Sequence, residues 1–393
     1  MPTPEPPSSL EADVREALRA RLDPRDPDEP VVVLGAGNED LEPGRGYLRA
    51  LADGGWAVPT WPVEHGGLGL DVKGAAVVNR VLAGFRVPDL YPFMVGLALV
   101  GPTVLAHAAP EQRRRWLPAI RTGEEIWCQL FSEPGAGSDL AGLRCRAVRD
   151  GDEWRVSGQK VWSSRAHYSA WGLLLARTDP TVPKHAGITA FALRMDQPGV
   201  DVRPLRQMNG DAHFNEVFLD DAVVDDADRI DEVGAGWAVA LTCLAHERGA
   251  LGGGGPTLTF ERLVELARSR GRLDDMLVRD ALARTYVDLE VARLAARRAR
   301  DLAQAGRPGA EGSGMKLRFT ETFRRYTDTA MRILGPEAVS SAGEWSTLFL
   351  TAPSMSIRGG TDEIQRNIVG ERVLGLPGDV RVDRDVPFDE LPV

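Results

Sequence analysis

Cys128-Gln-Leu-Phe-Ser-Glu-Pro-Gly-Ala-Gly-Ser-Asp139 is the stretch from which the rest of the 393-residue chain can be read. Gly135 and Gly137 let backbone come close to a ligand, while Ser132 and Ser138 set hydroxyls beside exposed amides. Such a loop can hold a pyrophosphate without lysines. By itself it would be an ordinary turn. Some twenty-five residues on, Gly158-Gln-Lys-Val-Trp-Ser-Ser164 reads as a strand and supplies an aromatic plane, Trp162, next to further hydroxyls. The two blocks together can hold a flat heterocycle with a phosphate tail.

The surroundings divide the chain into parts. From Ile126 to about Arg229, short alternating runs such as EWRVSG, WGLLLART and NEVFLD are bounded by Gly, Asp and Pro, the pattern of antiparallel strands. Before them, from Gly46 to about Thr122, the apolar spacing is helical, interrupted by WPVEHGG at 61–67. The longest apolar run, Pro92 to Ala109, contains Pro102 and reads as a buried helix rather than a bilayer span. After the strands, helices are expected near 10–22 of the opposite end and near 257–270, 275–305, 313–334 and 361–374 of this one. Ser313 and Thr361 are placed as N-caps, with Asp362 and Glu363 suiting the positive first turn of the last helix. The order is that of an α+β protein: an acidic, Pro-rich arm over 1–42, a helical domain over 43–125, a β domain over 126–228 and a helical bundle over 229–393.

Composition narrows the function. The formal charge is −10, which argues against nucleic acid and anionic membranes as partners. It is unevenly spread: residues 1–42 hold eleven acidic groups and four arginines, whereas 261–332 hold sixteen basic groups and eleven acidic ones. Three cysteines without CxxC spacing fit free thiols, and the N-terminus has no signal-peptide pattern, so a cytoplasmic protein is expected. VVVLGAGNED at 31–40 has Asp40 at the third glycine position and no βαβ unit after it, so it reads as a local strand or turn, not a dinucleotide fingerprint. The six histidines show no metal-binding spacing, and no metal site is expected.

The two blocks at this spacing resemble the acyl-CoA dehydrogenase family of flavoproteins. The resemblance takes in WPVEHGG, RQMNGDAHFNEVFLDD at 206–221 and SIRGGTDEIQRNIVGERVLGLP at 356–377, in the family's order. It implies an N-terminal all-α domain, a middle antiparallel β-barrel-like domain and a C-terminal four-helix bundle, assembled as homodimers or homotetramers around FAD. Phe131, Ser132, Trp162 and Ser164 would then surround the flavin ring, and Gly137 and Ser138 the pyrophosphate, with Ser138 also near CoA. Thr361 and Glu363 match flavin-contacting positions.

Family members abstract an α-proton from an acyl thioester, which calls for a desolvated carboxylate and donors to the thioester carbonyl. The family's common base, a glutamate just before the last helix, is Gly359 here, in Ile357-Arg-Gly-Gly-Thr361. The family's second base position is Glu-Arg before a glycine-rich break, and His246-Glu-Arg-Gly249, followed by Gly252 to Gly255, matches it. Glu247 is therefore the expected base, with Arg248 a structural or CoA-side residue and Gly359 contributing its backbone N–H. Two inter-subunit motifs depart from the family pattern: Ser269-Arg-Gly-Arg272 and Arg332-Ile-Leu-Gly-Pro336. Arg270 and Arg332 are candidates to replace the lost cofactor contacts electrostatically.

The reading that follows is FAD-dependent dehydrogenation of an acyl-CoA to the trans-2-enoyl-CoA, with an electron-transferring flavoprotein as acceptor. Two alternatives stand beside it: a non-catalytic partner in a heteromeric dehydrogenase, and an acyl-CoA oxidase.

Overall fold

A computed structural model describes residues 9–26, 40–250, 258–305, 311–340 and 343–391. The glycine-rich 31–39 segment and Gly252 to Gly255 lie outside these residues, as does the side chain of Arg248. The chain divides into two compact units, one of residues up to Arg206 with Ala212–Glu247 and Asp383–Val393, the other of Gln207–Asp211 and Arg248–Val382.

The first unit opens with helices α1 (Ser9–Arg19), α2 (Glu42–Ala52), α3 (Val72–Leu82), α4 (Gly101–His107) and α5 (Pro110–Thr122). Val14, Leu18, Tyr47, Leu51, Val78 and Val81 close a core between α1, α2 and α3. WPVEHGG forms a single tight turn, Val63–His65, ended by Gly66 at φ +80°. The Pro92–Ala109 run is helical in two pieces, a π-turn over Val95–Val100 and then α4, because Pro102 sits in the first turn of α4 and needs no N–H partner there. Its buried face includes Leu99, Val100 and Val104.

Eight strands follow: β1 (Trp127–Leu130), β2 (Arg146–Asp150), β3 (Glu153–Ser164), β4 (Trp171–Arg177), β5 (Ile188–Arg194), β6 (Val200–Leu205), β7 (Phe214–Asp225) and β8 (Arg229–Ile230). They form one sheet in the order β6-β7-β3-β2-β4-β5-β8, with β1 paired to β4. Two expectations need correction. The sheet is open rather than barrel-like, since β6 and the two-residue β8 end it without pairing to each other. Nor is it wholly antiparallel, because β1 runs parallel to β4 and β2 meets β4 in a parallel pair. The alternation of VDVRPL reports one exposed face, whereas β4 is buried at every residue and β5 at all but its last. Gly158 is required where β3 crosses β2, because a Cβ there would lie 2.7 Å from Cys145 Cα. Trp116 of α5 packs edge-on against Trp127 and Trp171, which stack at 5.6 Å, and joins the helices to the sheet. Helix α6 (Gly236–Ala250) follows, and its residues up to Glu247 belong to this unit.

The second unit is helical: α7 (Phe260–Ser269), α8 (Met276–Gln304), α9 (Glu311–Leu334), α10 (Glu337–Ser340), α11 (Glu344–Thr351) and α12 (Asp362–Arg372). Helix α9 is the common element, with Tyr326, Ala330 and Ile333 packed against α7 and α8 and Phe323 against Leu348 and Ala352. Ser313 is not an N-cap: α9 begins at Glu311, and Ser313 is buried in its first turn. Thr361 does cap α12, accepting from Ile364 N at 3.2 Å.

Candidate active site

The loop after β1 is built against β3. The Ser132 carbonyl accepts from Val161 N at 2.9 Å, and the Phe131 carbonyl from Lys160 Nζ at 3.1 Å. Glu133 and Ala136 exchange backbone hydrogen bonds at 3.0 and 3.1 Å and close the loop on itself. The buried Glu133 carboxylate accepts from Lys160 Nζ (2.8 Å), Arg144 N (2.7 Å) and Cys145 N (2.9 Å). Lys160 is wholly buried, so this is an ion pair inside the protein, fully hydrogen-bonded on the carboxylate side. At the far end of the loop, Asp139 accepts from Lys184 Nζ at 2.9 Å. Burial opposes the Lys184 charge, but Asp383 and Asp139 outweigh it and raise its pKa.

These bonds bring Phe131, Ser132, Trp162 and Ser164 onto one loop-and-strand assembly, with Phe131 buried and Ser132 and Ser164 half-buried. Trp162 is 60% exposed and stands at φ +62°, a left-handed conformation that is strained for an aromatic residue. The irregularity between Lys160 and Ser163 in the β3–β7 ladder turns it outward, and its ring meets that of Phe214 edge to face with centroids 6.0 Å apart. Gly135 and Gly137 have ordinary φ, and a Cβ on either would meet no protein atom within 4 Å. Nothing inside the protein therefore requires glycine there. The open space leaves room for a ligand to approach the backbone closely from outside. An outward aromatic face, flanking hydroxyls and an open glycine loop are a donor set that fits the ring and pyrophosphate of FAD. Gly137 and Ser138 are exposed on this loop.

Glu247 lies on α6, half-buried, one turn beyond the buried Cys243 and on the same face. Cys243 Sγ accepts a 3.7 Å contact from Gln129 Nε2 of β1, two residues before Phe131. The helix that carries Glu247 is thereby tied to the strand that feeds the loop. Burial, reinforced by the Glu247 charge, pushes the Cys243 thiol up to about 12. His107 fixes the helix from the other side, bonding Asp231 Oδ2 through Nδ1 (2.7 Å) and Thr242 Oγ1 through Nε2 (2.9 Å). Partial desolvation lowers the pKa of His246. Cys128 and Cys145, like Cys243, are buried free thiols, held by burial at about 12 and about 11.

In the second unit, Gly359 and Gly360 take φ +66° and +84°, and Gln365 Nε2 donates to the Gly359 carbonyl at 3.1 Å, fixing the turn before α12. Asp362 is paired with Lys316 at 2.8 Å, whereas Glu363 is exposed. Arg270 is engaged by Glu337. Arg332 instead lines a cleft of about 840 Å³ shared with Arg284, Arg324, Arg325 and Arg366. Asp280, Glu321, Asp328 and Asp362 line it too, so its charge is nearly balanced. Among the described residues there is no His/Cys/Asp/Glu group that could hold a metal ion, and no helix long and apolar enough to cross a membrane.

Lys160 carries no motif signature of its own, although the alternation of β3 places it as a charged residue at an inward position. Arg165 also escaped notice, because nothing in a one-dimensional pattern separates a buried arginine from a surface one.

Family profiles described as the N-terminal, middle and C-terminal domains of acyl-CoA dehydrogenase match residues 10–124, 128–222 and 234–374. The chain is 40% identical over 355 residues to acyl-CoA dehydrogenase IpdE1 of Mycobacterium tuberculosis (strain ATCC 25618 / H37Rv), covering 88% of this chain and 91% of that one. It is 41% identical over 333 residues to acyl-CoA dehydrogenase FadE34 of the same organism, covering 84% of this chain but 46% of that one. Among solved structures it is similar to the Tcur3481-Tcur3483 steroid ACAD, with a TM-score of 0.78 and 31% identity over 95% of this chain and 99% of that one. The ChsE4-ChsE5 complex from Mycobacterium tuberculosis follows at TM-score 0.72 and 27% identity, covering 96% and 100%.

Proposed function

Because this chain belongs to the acyl-CoA dehydrogenase family and is an FAD-using enzyme of that class, we propose that it forms trans-2-enoyl-CoA with Glu247 as the base. One observation carries the assignment: Glu247 sits on the helix face that contacts β1 through Cys243 and Gln129, next to the loop whose Phe131 and Ser132 match the flavin motif. Gly359 has no side chain to supply the family's other carboxylate.

In this mechanism the Glu247 carboxylate takes the α-proton of the thioester. Its partial burial removes competing water and sharpens the charge that drives proton transfer. Gly359 is assigned a backbone N–H donor role toward the thioester carbonyl, where negative charge develops. Trp162 and Ser164, Phe131 and Ser132 orient the isoalloxazine, and Gly137 and Ser138 face the pyrophosphate and CoA. FAD, when bound, supplies the hydride acceptor at N5. An electron-transferring flavoprotein is the proposed outlet for the electrons. Rapid reoxidation by air with peroxide release would make the enzyme an oxidase instead.

The test is anaerobic flavin bleaching with a panel of acyl-CoAs. Glu247→Gln should slow bleaching by about 10²–10⁴-fold. Bleaching as fast as in the parent would remove Glu247 from this role.

A second reading concerns assembly. FadE34 is about twice the length this chain matches, and two of the similar structures are named as pairs of chains. This supports a chain that works beside a second, related dehydrogenase subunit, on a bulky steroid-type acyl group. A colourless or inert chain that gains bleaching only when a related chain is co-expressed would favour it over the homo-oligomer.

A further inference from the structure

Buried polar atoms without a protein partner are concentrated in one place. Of the fifteen such side-chain atoms among the described residues, six belong to Asp89, Ser163, Arg165, Tyr168 and Asn215. These side chains form one patch. Asn215 Nδ2 donates to the Ser163 carbonyl at 3.0 Å, Arg165 N donates to the His213 carbonyl at 2.7 Å, and Tyr91 N donates to Asp89 Oδ1 at 2.9 Å. The Arg165 guanidinium lies 5.3 Å from the Tyr91 ring centroid and 5.8 Å from that of Tyr168.

Arg165 is the centre of the patch. It is 97% buried, follows Ser164 directly, and like Trp162 it holds a positive φ, +60°. Its unpaired nitrogens are Nε and Nη2, the two that form the side-on edge of a guanidinium and donate in parallel. A buried arginine normally spends that edge on a carboxylate. Here the carboxylate nearby, Asp89, makes no ion pair with it and keeps Oδ2 unpaired, and the Tyr168 hydroxyl, which feels the Arg165 guanidinium, meets no group at full hydrogen-bond geometry. Burial pushes the Tyr168 hydroxyl up to about 12 against the opposing pull of the Arg165 guanidinium, so it stays a neutral donor and acceptor. The patch thus offers donors on Arg165, an acceptor on Asp89 and both on Tyr168, with one positive and one negative charge. That balance suits a neutral oxygen function, a ketone or hydroxyl, better than a further carboxylate, which Asp89 would repel.

We propose that Arg165, with Asp89 and Tyr168, is a specificity-determining site for oxygen atoms on the acyl group, so that the enzyme selects oxygenated acyl-CoAs over hydrocarbon ones. The inference rests on the dehydrogenase reading above, because the patch adjoins the strand residues assigned to the flavin. A site built to bond a substrate oxygen rejects the analogue lacking it, because its own buried groups are then left unpaired.

The experiment uses the full-length FAD-loaded protein and pairs of acyl-CoAs matched in carbon skeleton, alicyclic and straight-chain, with and without a ring or chain ketone or hydroxyl. A dicarboxylic mono-CoA thioester forms a third arm. In the parent, kcat/KM should favour an oxygenated member of a pair by about 10²-fold or more, and the carboxylate arm should not. In Arg165→Met that ratio should fall about 100-fold, and in Tyr168→Phe, which only removes a hydroxyl, about 10-fold. An unchanged ratio in both variants, or a parent with no preference, overturns the proposal while leaving dehydrogenation intact. Preference for the carboxylate arm overturns the charge argument and with it the proposed substrate class. Loss of FAD affinity in Arg165→Met with an unchanged ratio means that the edge serves the flavin, and also overturns it. A parent that bleaches with no acyl-CoA fails the dehydrogenase reading instead.

Discussion

Lys160→Met is the perturbation that most directly tests how the flavin loop is held. Methionine keeps the length of the buried stem but removes the ammonium, which is wholly enclosed and bonds both Glu133 Oε1 (2.8 Å) and the Phe131 carbonyl (3.1 Å). Breaking a buried ion pair from one side costs ~3–5 kcal/mol, since the other charge stays behind. Glu133 retains two backbone donors, Arg144 N and Cys145 N, which argues for the lower end. The orphaned Phe131 carbonyl adds about 1 kcal/mol, giving ~4 kcal/mol. In Lys160→Met/Glu133→Gln the stranded charge is gone, so the double variant should recover about 2 kcal/mol of that loss. Urea unfolding of the FAD-loaded protein reads the stability, and flavin release on dilution reads the loop, because Phe131 and Ser132 are anchored by the same strand. A cost below 1 kcal/mol, or single-variant costs that simply add, would refute the idea that this pair clamps the loop. Stability loss without faster flavin release would separate the pair from the cofactor site.

Asp226 accepts from Arg229 and Trp154, which hold its carboxyl down at about 2. Its ionised form stabilises the fold above the ordinary carboxylate range, so Asp226→Asn should cost at most ~2 kcal/mol at neutral pH, and the difference should vanish between pH 4 and 2, as chemical denaturation across that range would reveal. Arg270→Ala should lower FAD occupancy, whereas Glu337→Ala, which frees the guanidinium from its ion pair, should raise it; equal absorbance ratios in both purified variants would exclude Arg270 from cofactor binding. Thr361→Ala removes the α12 cap and should cost about 1 kcal/mol, with Thr361→Ser restoring most of it in thermal unfolding.

The sequence made legible what depends on local spacing. Strand alternation, the buried helical run Pro92–Ala109, the Thr361 cap and the two flavin-like blocks all follow from residues within a few positions of one another. Ser313 misled because Ser is also tolerated inside a first turn, and only the hydrogen-bond pattern separates the two positions. Closure of the sheet was out of reach for a different reason: each strand reports its own faces, but whether β6 meets β8 is a long-range pairing that no single strand encodes. The Lys160–Glu133 pair and the Arg165 patch belong with closure. Their partners are 27 residues apart in one case and come from Asp89, Arg165 and Asn215 in the other.

The outward turn of Trp162 and the inward turn of Arg165 have one origin. Strict alternation from Val161 would send Trp162 and Ser164 to one side and Ser163 and Arg165 to the other, and the burial of these residues keeps that order. Yet a regular strand would pair Trp162 flat in the ladder, and the left-handed backbone at Trp162 and again at Arg165 prevents it. Such conformations cost on the order of 1–3 kcal/mol each and persist only where surroundings over-determine them. Here the Val161–Ser132 bond fixes the near side and the Arg165–His213 and Asn215–Ser163 bonds fix the far side. The Trp162 indole stays 60% exposed, and the side-on guanidinium edge of Arg165 makes no hydrogen bond at full geometry within the protein. Strain held by a rigid frame, with its benefit directed away from the protein's own atoms, is what a ligand-binding segment requires, and it sets the ring platform and the oxygen-selective patch three residues apart on the same strand end.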